Sequence, residues 1–402
     1  MFHIKGNSEI ENRNARLKLN FIAMLLNSSF IQVLGGTAMM KNLFTTSRRR
    51  FLGGTAATAS TLALGSYLKR AHAASPLRIS SYGGYFEDSL AEFIYPDFSA
   101  ETGIPTESIS QPGGMSWMTM LETSAKAGNP ATDVTMTGGA GPRRAPQVFQ
   151  GLDESKLPNA KNVPDYLLHR KDDGTLDAVA VLAWYAIFVT NTEIYPEAPT
   201  SWADAWGPQF KNSLGWNANT DSSYILDIAA VTFFGGQEIL NTREGLLTVM
   251  AKAAELKENV TLWYRDEGAF QSALQTGEIP GGQYYHDVTL LMAADGFPVR
   301  STFPKEGGVI DFGSWGLAVG STKHEEAHIF IDYCCQPEIQ SKISRSMGTA
   351  PVLPREMLDL TDEEFNNVSS DIPPIVPAYD VYVKDGDWIS EKWRELITGA
   401  AS

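Results

Sequence analysis

Cysteine is nearly absent from these 402 residues: only Cys334 and Cys335 occur, side by side. Neighbouring Cα atoms lie about 3.8 Å apart across a trans peptide, too close for an unstrained disulfide. The pair therefore reads as two small, core-like thiols, and no disulfide staple is expected. Long apolar runs are lacking too. Phe21–Leu34 falls short of the roughly 20 residues a membrane helix needs. No later segment comes nearer, so no stable membrane insertion is expected. The chain has no basic patch, which removes nucleic acid as a partner. It has no G-x-S-x-G elbow and no G-x-x-x-x-G-K-[ST] phosphate loop, so hydrolase and kinase chemistry lacks its usual machinery.

What is present in excess is acid, with a formal net charge of −15. Ser47-Arg48-Arg49-Arg50-Phe51-Leu52 resembles a twin-arginine signal. A weakly apolar stretch, Gly53–Ser66, follows, then Lys69 and Arg70, then Ala71-His72-Ala73, an A-x-A cleavage site. Residues 39–73 thus read as an export signal to the periplasm. Residues 1–38 stand awkwardly ahead of it and are expected not to be native, with Met39 or Met40 as initiator. Without residues 1–73 the chain keeps 22 basic and 45 acidic side chains, a net −23. Such a surface favours solubility.

From Leu77 onward short strands and helices alternate. Leu77–Tyr82 reads as a strand, Gly83-Gly84 as its turn, and Phe86, Leu90, Phe93 and Ile94 recur at helical spacing. Asp133–Met136, Val179–Asn191 and Gly313–Val319 read as further strands. Leu246–Leu256 and Lys323–Cys335 read as helices, and Pro199-Thr200-Ser201-Trp202 as a capped helix start. This alternation predicts layered α/β domains with mostly parallel sheets, whose ligands sit beyond the strands' carboxyl ends. The Gly-rich strand exits at 83–84, 138–139 and 281–282 are where a site is expected.

Four stretches are specific: Glu101-Thr102-Gly103-Ile104, Leu152-Asp153-Glu154-Ser155-Lys156-Leu157-Pro158-Asn159, Pro199-Thr200-Ser201-Trp202-Ala203-Asp204-Ala205-Trp206 and Phe303-Pro304-Lys305-Glu306-Gly307-Gly308. Ala327-His328-Ile329-Phe330-Ile331 and Gly348-Thr349-Ala350-Pro351 follow in order. Together they resemble the family 1 extracellular solute-binding proteins, nearest the spermidine/putrescine group. The resemblance implies a type II periplasmic binding protein fold of two lobes, each a mostly parallel sheet flanked by helices, with a hinge between. Lobe 1 would hold residues 76–188 and 314–351, and lobe 2 residues 189–313 and 352–402. It also implies a small-molecule ligand caught in the cleft by hinge closure and passed to an ABC permease with its ATPase. The chain would act as a monomer, with no catalytic residue, cofactor or metal.

The ligand residues that the resemblance implies are Ser81, Tyr82, Gly83 and Tyr85 on the first loop and Thr137, Gly138 and Gly139 on the second. Trp184, Asp221, Ser222, Tyr285, Asp287 and Trp315 complete the set. Aromatic faces suit methylene stems and ammonium groups, and carboxylates suit charged ends. By spacing, however, acids of the polyamine binders fall at Ile225 and Trp315, and an aromatic at Ala140. A buried ammonium without its carboxylate is costly. The expected ligand is therefore a smaller amine or quaternary cation, or an amino-acid-like zwitterion whose carboxylate Arg265 or Arg300 would meet.

Three other readings have a foothold. His324-Glu325-Glu326-Ala327-His328 matches H-E-x-x-H, the zinc hydrolase signature. Tyr284-Tyr285 matches the adjacent tyrosines of ferric iron binders, although strand alternation sends neighbours to opposite faces. A ligand-sensing partner of a chemoreceptor would use the same closing motion as a transporter.

Overall fold

A computed structural model describes residues 75–398, so the extension and the signal lie outside the described residues. The strands are β1 (Leu77–Tyr82), β2 (Thr106–Gln111), β3 (Val134–Gly138), β4 (Phe149–Gln150), β5 (Leu168–Arg170) and β6 (Leu176–Asn191). Then come β7 (Leu214–Asn217), β8 (Val260–Tyr264), β9 (Gly281–Tyr285), β10 (Val299–Thr302) and β11 (Val309–Ala318). All eleven join one sheet, whose main path runs β2-β1-β3-β11-β6-β9-β7-β8.

The path has three parts. β1 pairs in parallel with β2 and β3, and β7 in parallel with β8 and β9. Between these parallel trios run β6 and β11, antiparallel to each other from Val309↔Ala186 to Gly316↔Ala178. Their sequences show why they lie at the centre. β6, LDAVAVLAWYAIFVTN, is apolar on both faces, and fifteen of its sixteen residues are buried. Such a run is stable only where both sides are covered.

Two large cores flank the sheet. One gathers Ile79, Phe98, Met136, Trp315 and Phe330; the other Phe188, Trp202, Trp216 and Trp393. Phe188 and Trp202 lie nearly parallel, with ring centroids 5.9 Å apart. Cys334 and Cys335 are free and buried in the first core, as the lack of a disulfide requires, and burial pushes the Cys334 thiol up to about 12. No described helix is long and apolar enough to cross a membrane.

One expected strand exit is misplaced. Gly281-Gly282 opens β9 rather than leaving it. Gly282 is there for packing: a Cβ would lie 2.0 Å from the Gly215 carbonyl oxygen on β7.

Candidate functional site

The carboxyl ends of β7, β8 and β9 converge on the middle of β6 and β11, and there a cavity of about 210 Å³ opens. Trp184 and Ala186 line it from β6, Asp311 from β11 and Tyr285 from the end of β9. Asn217 closes β7, Asn219, Ser222 and Tyr224 follow it, and Arg265 and Glu267 follow β8. Asp311 and Trp184 are direct cross-strand partners. Ala186, two residues along β6 and on the same face, projects only a methyl group and so leaves the volume open.

Asp311 is the electrostatic centre. Tyr379 Oη donates to its Oδ1 at 2.8 Å and Tyr224 Oη to its Oδ2 at 2.8 Å, while the Phe312 backbone N–H donates to Oδ1 at 2.9 Å. Burial pushes the carboxyl above the usual range despite these three donors. Tyr224 reaches it at a conformational cost. Its backbone is left-handed, φ 51° and ψ 26°, a region that costs a non-glycine residue roughly 1 kcal/mol or more. Glu267 is the second acid. Burial raises its pKa too, against the lowering effect of the Tyr285 hydroxyl, which donates to Oε1 at 2.7 Å. Arg265 is the lone cationic side chain of the lining, turned by its 2.7 Å hydrogen bond to Asn219 Oδ1. Half-buried acids, rings and one guanidinium around a small volume can pair an ammonium with a carboxylate on the same small molecule.

A larger groove of about 750 Å³ shares Asn219 and Arg265 but runs outward along the helix Tyr379–Thr398. Its own acids, Asp387 and Glu391, are exposed. The smaller cavity holds two half-buried acids, Asp311 and Glu267, and is the better candidate.

Of the residues expected from sequence, the cavity collects Trp184, Ser222 and Tyr285, and of the two arginines Arg265. Tyr82, Thr137 and Gly138 line a separate hollow of about 160 Å³ beside Met115, Met118 and Met136. Gly139 is covered: a Cβ there would meet the Tyr379 ring at 2.6 Å. Ser81 is fully buried in the sheet. Gly83 packs on Ser110, whose Oγ would lie 2.6 Å from an added Cβ. Tyr85 is buried and donates to the Met347 carbonyl at 3.1 Å. Asp221 is exposed on the rim and pairs with Arg144 at 3.5 Å.

Two expectations need physical correction. Trp315 is 0% exposed, with its ring 5.4 Å from Phe330 under the helix His324–Cys334. It stands four residues, about 13 Å, along β11 from Asp311. β11 does carry an acid, Asp311, four residues before Trp315. Asp287 begins the helix after β9 but does not line the cavity. Its Oδ1 is buried without a partner, and burial pushes the carboxyl up to about 6. Ile225 is 0% exposed core, so no acid stands there. The sequence reading missed Asp311, Tyr224, Glu267 and Tyr379. Asp311 carried a usable signal: a lone charge inside the apolar run Val309-Ile310-Asp311-Phe312.

The remaining motifs are accounted for by packing. His328 Nε2 accepts from the Asp153 N–H at 2.8 Å, and Nδ1 bonds the His324 carbonyl at 2.6 Å, so both ring nitrogens are engaged. Glu325 pairs with Lys156. Among the described residues no group of three or more His, Cys, Asp or Glu side chains could hold a metal. Tyr284 and Tyr285 part as strand alternation requires, with Tyr284 in the core and Tyr285 on the cavity. Burial disfavours the phenolate of both. Arg300 donates to the Tyr195, Pro196 and Glu197 carbonyls at 2.7–3.0 Å and is a backbone clamp.

Two parallel trios bridged by antiparallel strands, with a polar cavity at the carboxyl ends of the β7–β9 trio, define an α/β periplasmic binding protein fold. The comparisons agree. The family model for bacterial extracellular solute-binding proteins matches residues 94–366, and the chain belongs to that family. The spermidine/putrescine-binding periplasmic protein of Salmonella typhimurium is 25% identical over 292 residues, covering 72% of this chain and 81% of the relative. Among solved structures, an ABC transporter protein from Clostridium perfringens superposes with a TM-score of 0.67 at 22% identity, over 80% of this chain and 99% of that one. The spermidine/putrescine ABC transporter substrate-binding protein of Streptococcus pneumoniae gives 0.58 at 18% identity, over 80% and 99%. The chain is the solute-binding component of an ABC transporter, periplasmic or extracellular, and not an enzyme.

Proposed function

We propose that the chain binds a small organic cation or an amino-acid-like zwitterion in the 210 Å³ cavity. The ammonium or quaternary nitrogen lies against Asp311 inside the Trp184, Tyr224 and Tyr285 rings, and Glu267 adds negative potential beside it. A ligand carboxylate, where present, pairs with Arg265. The observation that carries this reading is the juxtaposition of a half-buried acid, three rings and a single guanidinium on one cavity. The polyamine-binding relatives support an amine ligand. The small volume favours one shorter than drug-sized ligands, whose pockets run about 300–1,000 Å³.

Residues 76–188 with 314–351, and 189–313 with 352–402, serve as the two lobes, and β6 and β11 as the hinge. The ligand favours the closed form by its affinity difference between states, and that form is presented to the permease. Residues 39–73 act as a twin-arginine export signal.

Thermal-shift screening of monoamines, diamines, quaternary ammonium compounds and amino acids tests the ligand class, because a ligand that binds only the folded state raises its stability. Arg265→Ala is expected to weaken amino acids and leave monoamines unchanged. Stabilisation by dicarboxylates or sugars alone would rule the reading out.

A further inference from the structure

Behind the cavity lies a fully buried carboxyl that no ligand can touch. Asp227 stands on the helix Ile225–Phe234, three residues after Tyr224, and is 0% exposed. No basic side chain among the described residues pairs with it, so it is not an ordinary ion pair. Instead it accepts from the Ala378 N–H at 2.8 Å, from Tyr382 Oη at 2.6 Å and from Gln237 Nε2 at 2.5 Å. Gln237 also donates to the Val376 carbonyl at 2.8 Å. These four bonds fix the strap 376–382, where the chain turns into its last helix. Tyr379 sits between the anchors. Its hydroxyl donates to Asp311 Oδ1 at 2.8 Å, and its ring closes on Gly139 and lies 5.9 Å from that of Phe312.

A buried carboxylate without a cation is a poor device for stability alone, since its desolvation is only partly offset by hydrogen bonds. Its bonds here instead set the position of the one strap residue that touches the cavity's acid. We infer that Asp227 is a positioning residue for the ligand site, fixing the strap so that Tyr379 reaches Asp311. The consequence for ligand affinity rests on the reading that Asp311 holds the cation; the consequence for the Tyr379–Asp311 bond does not.

The test reads that bond in the ligand-free protein, by ¹³C-carboxyl NMR of an aspartate-labelled sample, with Asp311 assigned by its loss in Asp311→Asn. Asp311 faces Tyr82, Tyr224, Tyr285 and Tyr379. Arg143 lies over the Tyr379 ring, and Arg265 and Glu267 share the cavity. Of these only Tyr379 changes between the variants; Asp227→Asn also removes a negative charge, which by itself would move the Asp311 titration down, so an upward shift reports the Tyr379 bond. Tyr379→Phe removes a donor to the charged form and moves the Asp311 titration to higher pH. Asp227→Asn is expected to move it the same way by at least half as much, and the double variant no further than Tyr379→Phe alone. An Asp227→Asn protein that melts earlier but keeps the wild-type Asp311 titration would overturn the inference, as would an additive double variant. Should Asp227→Asn not fold, Tyr382→Phe removes one anchor bond and must give a smaller shift of the same sign; no shift overturns it equally. If Asp311→Asn binds putrescine and amino acids as wild type does, the ligand reading fails and the titration still judges the strap.

Discussion

Asp311→Asn separates binding from folding more cleanly than any other single change. The substitution keeps the shape of the side chain and removes its charge. Truncating one member of a buried, hydrogen-bonded charge pair costs about 2–5 kcal/mol of binding. At 1.4 kcal/mol per factor of ten, the Kd for the best cationic ligand should rise by at least about 30-fold. Stability of the ligand-free protein should move the other way. The folded pKa of Asp311 is raised, chiefly by burial. An acid with a raised folded pKa contributes stability that is present below its unfolded pKa and lost as pH rises through the folded one. As pH rises the wild type loses that contribution, which the neutral amide never had to lose. The variant should therefore gain in melting temperature relative to wild type as pH rises. Titration calorimetry gives the Kd and differential scanning calorimetry the melting temperature. A change in Kd under about threefold would refute the role of Asp311. A weakening matched by a large drop in ligand-free melting temperature would show that the residue merely holds the fold.

Three further outcomes follow from particular residues. Ala186→Leu places a larger side chain in the cavity and should weaken binding at least about tenfold, while costing under about 1.5 kcal/mol because it fills existing space; urea unfolding and calorimetry check both. Asp287→Asn should stabilise the protein by up to about 2–3 kcal/mol at pH 8. That gain should fade as pH falls through about 6 and vanish near 3.8, the two pKa values between which burial displaces this carboxyl; melts across that range test it. Arg300→Ala should destabilise by about 0.5–1.5 kcal/mol through the hydrogen bonds it loses, since the exposed carbonyls regain water, with Kd unchanged; a change in Kd would return Arg300 to the site.

Much of the fold was legible because apolar periodicity is local. β6 announced itself as an apolar run too rich in β-branched and aromatic residues for a surface helix. The amphipathic stretches became the helices Arg243–Ala254 and His324–Cys334. β2 escaped because Thr106–Gln111, TESISQ, is an edge strand paired only with β1 and almost wholly polar. The continuity of the sheet through β6 and β11 escaped for another reason. Their pairing joins residues more than a hundred positions apart, and no local pattern encodes such a register.

The family was more legible than the ligand because its motifs are interlocks between distant segments rather than walls of the cavity. Ser201 and Asp204 form a capping box at the start of the helix Trp202–Trp206. Glu306, from the Phe303–Gly308 motif, accepts from Ser201 Oγ at 2.5 Å and the Trp202 N–H at 3.0 Å, and the Trp202 indole donates to the Gly307 carbonyl at 2.8 Å. The Leu152–Asn159 motif docks in the same manner on the helix that carries H-E-x-x-H. His328 accepts from Asp153, Glu325 pairs with Lys156, and Asp332 accepts from the Asn159 N–H and Nδ2 at 2.7 Å. The apparent zinc signature is thus a set of docking contacts. Contacts of this kind constrain residue type and spacing whatever the ligand. Asp311, Tyr224, Glu267 and Tyr379 come from four different segments and obey no shared spacing. Recognition can therefore be altered at those positions while the interlocks, and with them the fold, stay in place. Exchanging Asp311 and Arg265 chemistry, not the motifs, is the route by which this scaffold should change its ligand.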